Sequence, residues 1–189
     1  MATSDVAIAN GALQRLGAKR IESLTQDHPN ARSVNVSFTA TRDALLRRYD
    51  WSFAIARASI AADAAAPVWG DWKRYGLPND YIRLIRDDET GVDVDWKIEG
   101  LYILSRDASP LQIRYLARIT DPNLFDALFA DAFSMKLGID ICEDVTSSTS
   151  KKESIKDDFD AAIAEARRTG AIEKQAQAFP EDSWLAARR

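Results

Sequence analysis

The stretch WKIEGLYILSRDASPLQIRYLA, residues 96–117, decides the fold class of this chain. It consists of short runs rich in aromatic and β-branched residues, and turn residues separate them: Gly100 follows the first run and Ser109-Pro110 precedes the last. Short runs bounded by turns are typical of an antiparallel sheet. These runs predict strands at residues 96–99, 101–104 and 111–117, and an earlier run predicts another strand at residues 81–86.

The segment before these runs predicts one further strand and a long loop. Residues 51–60 alternate in polarity, as in a half-buried strand. Residues 61–80 are interrupted by prolines and glycines, which favour loops.

Two helices are predicted before the β region. Ser4 can cap a helix that ends at Gly17, since glycine suits the left-handed position that follows a helix. Asn30 can cap a second helix that continues to about Tyr49, with apolar residues at helical spacing.

Two more helices are predicted after the β region. Pro122 suits the first helical position, and a strongly apolar pattern continues to about Glu143. A last helix is predicted from about Ser150 toward Ala178, and Pro180 lies beyond its end. The order of two helices, a β meander and two helices predicts an α+β fold.

The predicted architecture is a helical bundle with a small antiparallel β region inserted between its two N-terminal and two C-terminal helices. Residues 1–50 form the first helices, 51–120 the β-rich region with its loops, 121–178 the last helices and 179–189 an extended C-terminal arm. A chain of 189 residues can bury a core of this kind.

The composition is that of a globular protein, and it predicts neither an enzyme nor a bound cofactor or metal. Apolar residues make up 46% and charged residues 29%, and no apolar run approaches the roughly 20 residues that span a membrane. The N-terminus lacks the pattern of a secretory signal. The usual phosphate-loop, nucleophile and zinc motifs do not occur in the sequence.

A single cysteine, Cys142, and a single histidine, His28, exclude an internal disulfide and a His-pair metal site. Cys142 follows an apolar helix face, which favours a small buried side chain. His28 lies in a polar segment beside Pro29 and is interpreted as a solvated loop residue.

Negative charge is concentrated in one segment. Residues 121–165 contain eleven acids and four lysines, a net charge of −7, whereas the whole chain carries −4. A protein that grips DNA would show a basic stripe instead. Tight binding to nucleic acid is therefore not expected.

The tryptophans admit more than one interpretation. Trp51 and Trp96 lie in predicted strands and are assigned to the core. Trp69, Trp72 and Tyr75 lie in the predicted loop and could stack on a sugar, pack on the sheet or face a partner.

Two further groups also leave alternatives open. Trp184 lies in a charged tail, which suggests docking into a partner's groove; the alternative is that the tail folds back on its own helices. The loop acids could bind a divalent cation through carboxylate oxygens, although a solvated loop is the favoured interpretation; these acids are Asp87, Asp88, Glu89, Asp93 and Asp95.

Several segments, taken in order, resemble one protein family. They are RDALLRRYDWSFA at 42–54, WKRYGLPNDYIRLIR at 72–86, WKIEG and LYIL at 96–104, LQIRYLARITD at 111–121 and the final PEDSWLAARR. In this order and spacing they are similar to the tail tubular protein A family, the head–tail adaptors of tailed, mainly short-tailed, bacteriophages. The resemblance covers nearly the whole chain.

The resemblance implies a structural protein of the virion rather than an enzyme. Such adaptors form a ring, usually dodecameric, that joins the portal protein to the tail nozzle or tube. Double-stranded DNA would pass through the channel without sequence-specific binding, and no membrane is involved. The expected location is the head–tail interface of the virion, with the host cytoplasm as the site of assembly.

Three groups of residues acquire expected roles. The C-terminal arm would dock on the portal through Phe179, Pro180, Trp184, Leu185, Arg188 and Arg189. Contacts with the nozzle or a neighbouring subunit would involve Trp69, Trp72, Tyr75, Asp87, Asp88, Glu89 and Asp93. The charge of the acidic helices suggests that the channel-facing residues are Asp126, Asp131, Asp140 and Asp157.

The alternatives to an adaptor are a carbohydrate-binding module that uses its aromatic loop and a small tail-associated hydrolase that uses its loop acids.

Overall fold

The structure is a computed structural model that describes residues 3–65, 67–85 and 96–173, with side chains up to Gly170. Within these residues it has the predicted α+β fold, with four α-helices and two small antiparallel sheets. No helix in these ranges has the length and apolarity to cross a membrane. The helices are α1 (Asp5–Arg15), α2 (Pro29–Arg48), α3 (Ala127–Thr146) and α4 (Thr149–Glu173). The strands are β1 (Ile55–Ile60), β2 (Lys73–Gly76), β3 (Tyr81–Ile85), β4 (Trp96–Glu99), β5 (Tyr102–Ser105) and β6 (Leu111–Ala117).

The first two helices begin at side-chain caps. Ser4 caps α1 as predicted, and Gly17 follows that helix with a positive φ of 67°. α2 is capped by His28 rather than Asn30, because the Nδ1 atom of His28 accepts a hydrogen bond from the Asn30 amide at 3.2 Å. Pro29 takes the first helical position, where no N–H donor is needed. His28 thus lies half-exposed just before the helix, and in addition to the expected loop position it has a capping role.

The third helix begins later than predicted. Pro122 starts only a single 3-10 turn, and α3 begins at Ala127. Asp126 sets this boundary because its carboxylate accepts hydrogen bonds from two amides of the first turn, at 2.8 and 3.3 Å.

α3 is the helix against which the other three pack most extensively. It is followed by Ser147, whose φ of 52° turns the chain almost directly into α4, so the gap expected between about Glu143 and Ser150 is reduced to two residues. Phe129 lies at the centre of an aromatic cluster on this helix. Its ring centre is 4.9 Å from that of Phe125, 5.0 Å from Trp51 and 5.1 Å from Phe53.

The β region contains two three-stranded sheets rather than the single sheet that the sequence predicted. The first sheet has the order β1-β6-β3 and the second β2-β5-β4, and all neighbours are antiparallel. β2 lies in the segment predicted as a loop. The sequence does not indicate this strand, because it is very short and its partner β5 is distant in sequence. The strand predicted at 51–60 is shorter than expected, since residues Ser52–Ala54 form a 3-10 turn.

The first sheet separates two hydrophobic cores. Leu116 and Ile82 face the helices, whereas Tyr115 and Leu84 face the second sheet. Ile82 reaches the helical side because it is the extra residue of a bulge in β3. Among the described residues, the helical core contains no residue of the second sheet and the inter-sheet core contains no residue of the helices.

Candidate functional site

The candidate site is the face of the second sheet that is turned away from the first. Tyr75 and Ile103 point into the inter-sheet core, so their neighbours along each strand point outward. The register places Arg74 of β2, Leu104 of β5 and Lys97 of β4 side by side across the sheet. A cavity of about 310 Å³ lies over this row. We call Trp69, Trp72, Arg74, Lys97 and Tyr102, which all line that cavity, the outer face.

Cationic side chains lie over the aromatic rings of the outer face. Lys97 Nζ is 4.7 Å and the guanidinium carbon of Arg106 is 4.5 Å from the centre of the Trp72 ring. Arg74 lies 4.3 Å from the centre of the Tyr102 ring. Each such contact is worth about 0.5–1 kcal/mol at an exposed site, and it holds the cation in a fixed place.

Trp69 is carried by a tight loop at the rim of the cavity. Gly70 has a φ of +85°, and a Cβ atom there would lie 2.8 Å from Cδ1 of Trp72, so glycine is needed for the loop to pass this ring. The loop leaves Val68 94% and Trp69 84% exposed, and Leu101 in the β4–β5 turn is 78% exposed. Exposed apolar side chains grouped on one surface indicate contact with another molecule.

Asp63 fixes the position of Arg74. Its Oδ2 atom accepts hydrogen bonds from Nε (3.1 Å) and Nη2 (2.7 Å) of Arg74. The pKa of Asp63 is lowered by the hydrogen bond from the Ala65 amide and then by Arg74. The negative charge of Asp63 is thus paired with Arg74 of the same chain. The carboxylate that lines the cavity itself is that of Glu99.

Tyr75 does not belong to this surface, which corrects the expectation that it contacts a partner. Its ring is fully buried between the sheets, and its hydroxyl donates to the Asp107 carbonyl oxygen at 2.9 Å. Burial raises the pKa of Tyr75. Tyr102, Arg74 and Lys97 were missed from the sequence. Side chains alternate between the two faces along a strand. Once residues 73–76 are known to be a strand, this alternation identifies such residues, because Arg74 and Tyr75 then point to opposite faces.

A second, larger groove of about 630 Å³ lies between the end of α2, the start of α3 and the last turns of α4. The two acids that line it already have partners: Asp50 pairs with Arg83, and Asp126 caps α3. These two carboxylates therefore serve the fold, and the outer face is the stronger candidate.

Three of the four acids expected to face a channel have partners within the chain. Asp126 caps α3, Asp131 forms an ion pair with Arg15 of α1 at 2.7 Å, and Asp140 accepts a hydrogen bond from Thr41 of α2 at 2.8 Å. Asp131 and Asp140 contact different helices, so they do not belong to one acidic surface.

Asp157 differs from these three acids. It lies exposed on α4 together with Glu153 and Asp160, three to four residues apart, which places all three on one side of the helix. We call these three residues the acidic stripe. No ion pair of these side chains occurs within the described ranges.

The remaining expected contact residues lie outside the described residues. They are the loop acids Asp87, Asp88, Glu89 and Asp93 and the arm residues Phe179, Pro180, Trp184, Leu185, Arg188 and Arg189. Trp51 is buried in the helical core as predicted, Trp96 packs half-buried against the inter-sheet core, and Cys142 is buried. In the part of the chain that the structure describes, no group of three or more His, Cys, Asp or Glu side chains could hold a metal ion.

Comparison of the sequence with protein families and with curated proteins found no match. The interpretation of the site therefore depends on its residues and on the order of motifs described above.

Proposed function

We propose that this chain is a structural head–tail adaptor of a tailed bacteriophage. Copies of it form a dodecameric ring that joins the portal protein to the tail nozzle or tube and encloses a channel for the genome. The observation that carries the proposal is the order of elements, in which a β region is inserted between two pairs of helices, together with the adaptor-like motifs at the corresponding places in the sequence.

The separation of the second sheet from the helices supports this role. An adaptor needs one part that holds the subunit together and other parts that meet its partners. The helical core is the part that holds the subunit together. The outer face supplies a contact surface, because tryptophan, tyrosine and arginine are the residues that dominate binding energy at protein interfaces.

The negative charge of the chain suits a channel through which DNA slides. A surface with the same sign of charge as the phosphates repels them and keeps binding weak. Asp157 is the expected channel-facing acid that has no partner among the described residues, and it is available either to the channel or to a neighbouring copy.

The C-terminal arm is assigned to the portal. Phe179, Trp184 and Leu185 are the large apolar residues of the segment after α4, which otherwise consists of charged and polar residues, alanines and one proline. Burial of a tryptophan removes roughly 200 Å² from water. Around a ring, even a small gain for each arm gives a firm joint, because docked arms hold their neighbours at high effective concentration.

The test is to mix the full chain with the portal protein of the same genome and to image the product by electron microscopy. We expect a second ring on one end of the portal. A chain that lacks residues 181–189 is the matched control, and it should melt at the same temperature while failing to bind. A full chain that does not bind the portal, or a truncated chain that binds equally well, would contradict the proposal.

A carbohydrate-binding module is the second candidate, and one observation favours it. Trp69 offers an exposed ring beside a cavity lined by Arg74 and Glu99, which suits stacking on a sugar and hydrogen bonding to its hydroxyls. Binding to a panel of host-surface polysaccharides, lost in Trp69→Ala, would favour this module over the adaptor.

A further inference from the structure

We infer that the outer face docks onto the acidic stripe of a second copy of this chain. This contact rests on the proposed function, since it is the one through which neighbouring copies of the ring meet. It assigns Asp157 to the interface between copies rather than to the channel.

The first observation is where the exposed apolar residues lie. Six large hydrophobic side chains of the described chain are exposed, and three of them lie in the loop before β2 or in the β4–β5 turn: Val68, Trp69 and Leu101. Of the other three, Ile98 pairs with Ile103 and therefore belongs to the inner side of the sheet, and Val36 and Leu124 lie singly on other elements. A grouped apolar surface rimmed by charge is typical of a protein interface.

The second observation is the sign of the charge on the outer face. Lys97 and Arg106 lie over the Trp72 ring, and Arg74 of the same face is already paired with Asp63. One carboxylate, Glu99, lines the same cavity. An occupant that brings carboxylates is therefore electrostatically complementary to this face.

The third observation is that α4 presents such carboxylates. The acidic stripe lies opposite the buried residues Ile155, Phe159 and Ile163, so it points away from the helical core. Its members repel one another at helical spacing. A cationic surface from another copy relieves this repulsion, whereas the acids of α3 are already satisfied inside the chain.

The two surfaces are different and lie on opposite parts of the fold, one on α4 and one on the second sheet beyond the first. A contact between unlike surfaces of identical chains is head-to-tail, and it closes into a ring when the rotation between copies allows. A single chain that carries both surfaces can contact one neighbour through each of them, as every copy in such a ring must.

Charge reversal tests the contact in the full-length protein. Lys97→Glu and Asp157→Lys should each weaken self-association by at least about tenfold in sedimentation velocity. The double variant K97E/D157K should recover most of it, because every interface again joins opposite charges. Unchanged thermal melting shows that each variant is folded. Single variants that associate like the wild type, or a double variant no better than the singles, would overturn the inference.

Cross-linking separates this inference from the proposed function. Cys142 is buried, so cysteines introduced on the surface react selectively. Copies with Lys97→Cys are mixed with copies with Asp157→Cys, mounted on the portal and treated with a short bismaleimide. We expect cross-linked dimers, and none when Val36→Cys, an exposed site on α2, replaces Lys97→Cys. A ring on the portal without the first cross-link overturns this contact alone, whereas a wild-type chain that neither binds the portal nor self-associates overturns both proposals.

Discussion

The helical core and the inter-sheet core are built in different ways. The helical core is filled along α3 by large side chains that are almost completely buried, including Phe129, Phe133, Leu137 and Ile141. The inter-sheet core has fewer large residues, and alanines of β1 complete it. The first core therefore supplies most of the stability, while the second core mainly fixes the position of the outer face.

Polar ties in the inter-sheet core support this distinction. The hydroxyl of Tyr75 donates to the Asp107 carbonyl oxygen, and that of Tyr115 donates to Asp80 at 3.1 Å. A net hydrogen bond adds only about 1 kcal/mol to stability, but its geometry selects one strand register. Such ties suit a sheet that has to hold a surface in place.

The largest expected effect is in the helical core. Phe129→Ala removes the centre of the aromatic cluster and should lower the free energy of unfolding by about 3–5 kcal/mol in urea titrations. Leu128→Ala, at the half-buried neighbouring position, is the control and should cost clearly less. Equal losses for the two variants would show that the aromatic cluster adds nothing special, and a loss at Phe129 no larger than that at Ile103 would break the distinction between the cores.

Ile103→Ala tests the inter-sheet core. The side chain is fully buried, so its truncation should cost about 2–3 kcal/mol. Hydrogen exchange should rise in β2, β4 and β5 while amides of α3 remain protected, because among the described residues the helical core contains no residue of the second sheet and the inter-sheet core contains no residue of the helices. Equal loss of protection in α3 would show that the cores unfold as one unit.

The acids of the two long C-terminal helices give a smaller, paired comparison. Asp126→Ala removes the cap of α3 and should cost about 1 kcal/mol. Asp157→Ala removes an exposed side chain without an ion pair and should change stability by less than about 0.5 kcal/mol. A larger cost at Asp157 would mean that the acidic stripe serves the subunit rather than a contact.

The smallest effect concerns pH at the start of α1. Burial raises the pKa of Asp5, Arg42 partly opposes this shift and Asp121 adds to it. Because the pKa is higher in the folded chain, the protonated carboxyl favours folding at low pH and that contribution is lost as pH rises through the folded pKa. Asp5→Asn should therefore raise the melting temperature slightly at pH 7 and not below the ordinary pKa of 3.8. A gain of the same size at both pH values would contradict the assignment.

The helices were predictable because their signals are local. Apolar spacing placed all four, and errors occurred where two capping residues compete, as at His28 and Asn30. β2 was not predictable from its own residues, since they lie in a segment whose prolines and glycines favour loops, and pairing with β5 is what holds them as a strand.

The candidate site was predictable in part for the same reason. Trp69 and Trp72 were identified by residue type, but without β2 the sequence could not show that Tyr75 points inward and Arg74 outward. The partners of Asp131 and Asp140 come from α1 and α2, so only tertiary packing distinguishes these acids from Asp157.

The most direct test of the central claim, that the helical core is the scaffold and the second sheet the contact surface of an adaptor, is hydrogen exchange of the full chain alone and mounted on the portal. We predict that peptides covering residues 68–76 and 97–104 gain protection on assembly, as do those covering α4 around Asp157, while α3 exchanges slowly in both states and does not change. New protection confined to α3, or no difference between the free and the mounted chain, would contradict the account.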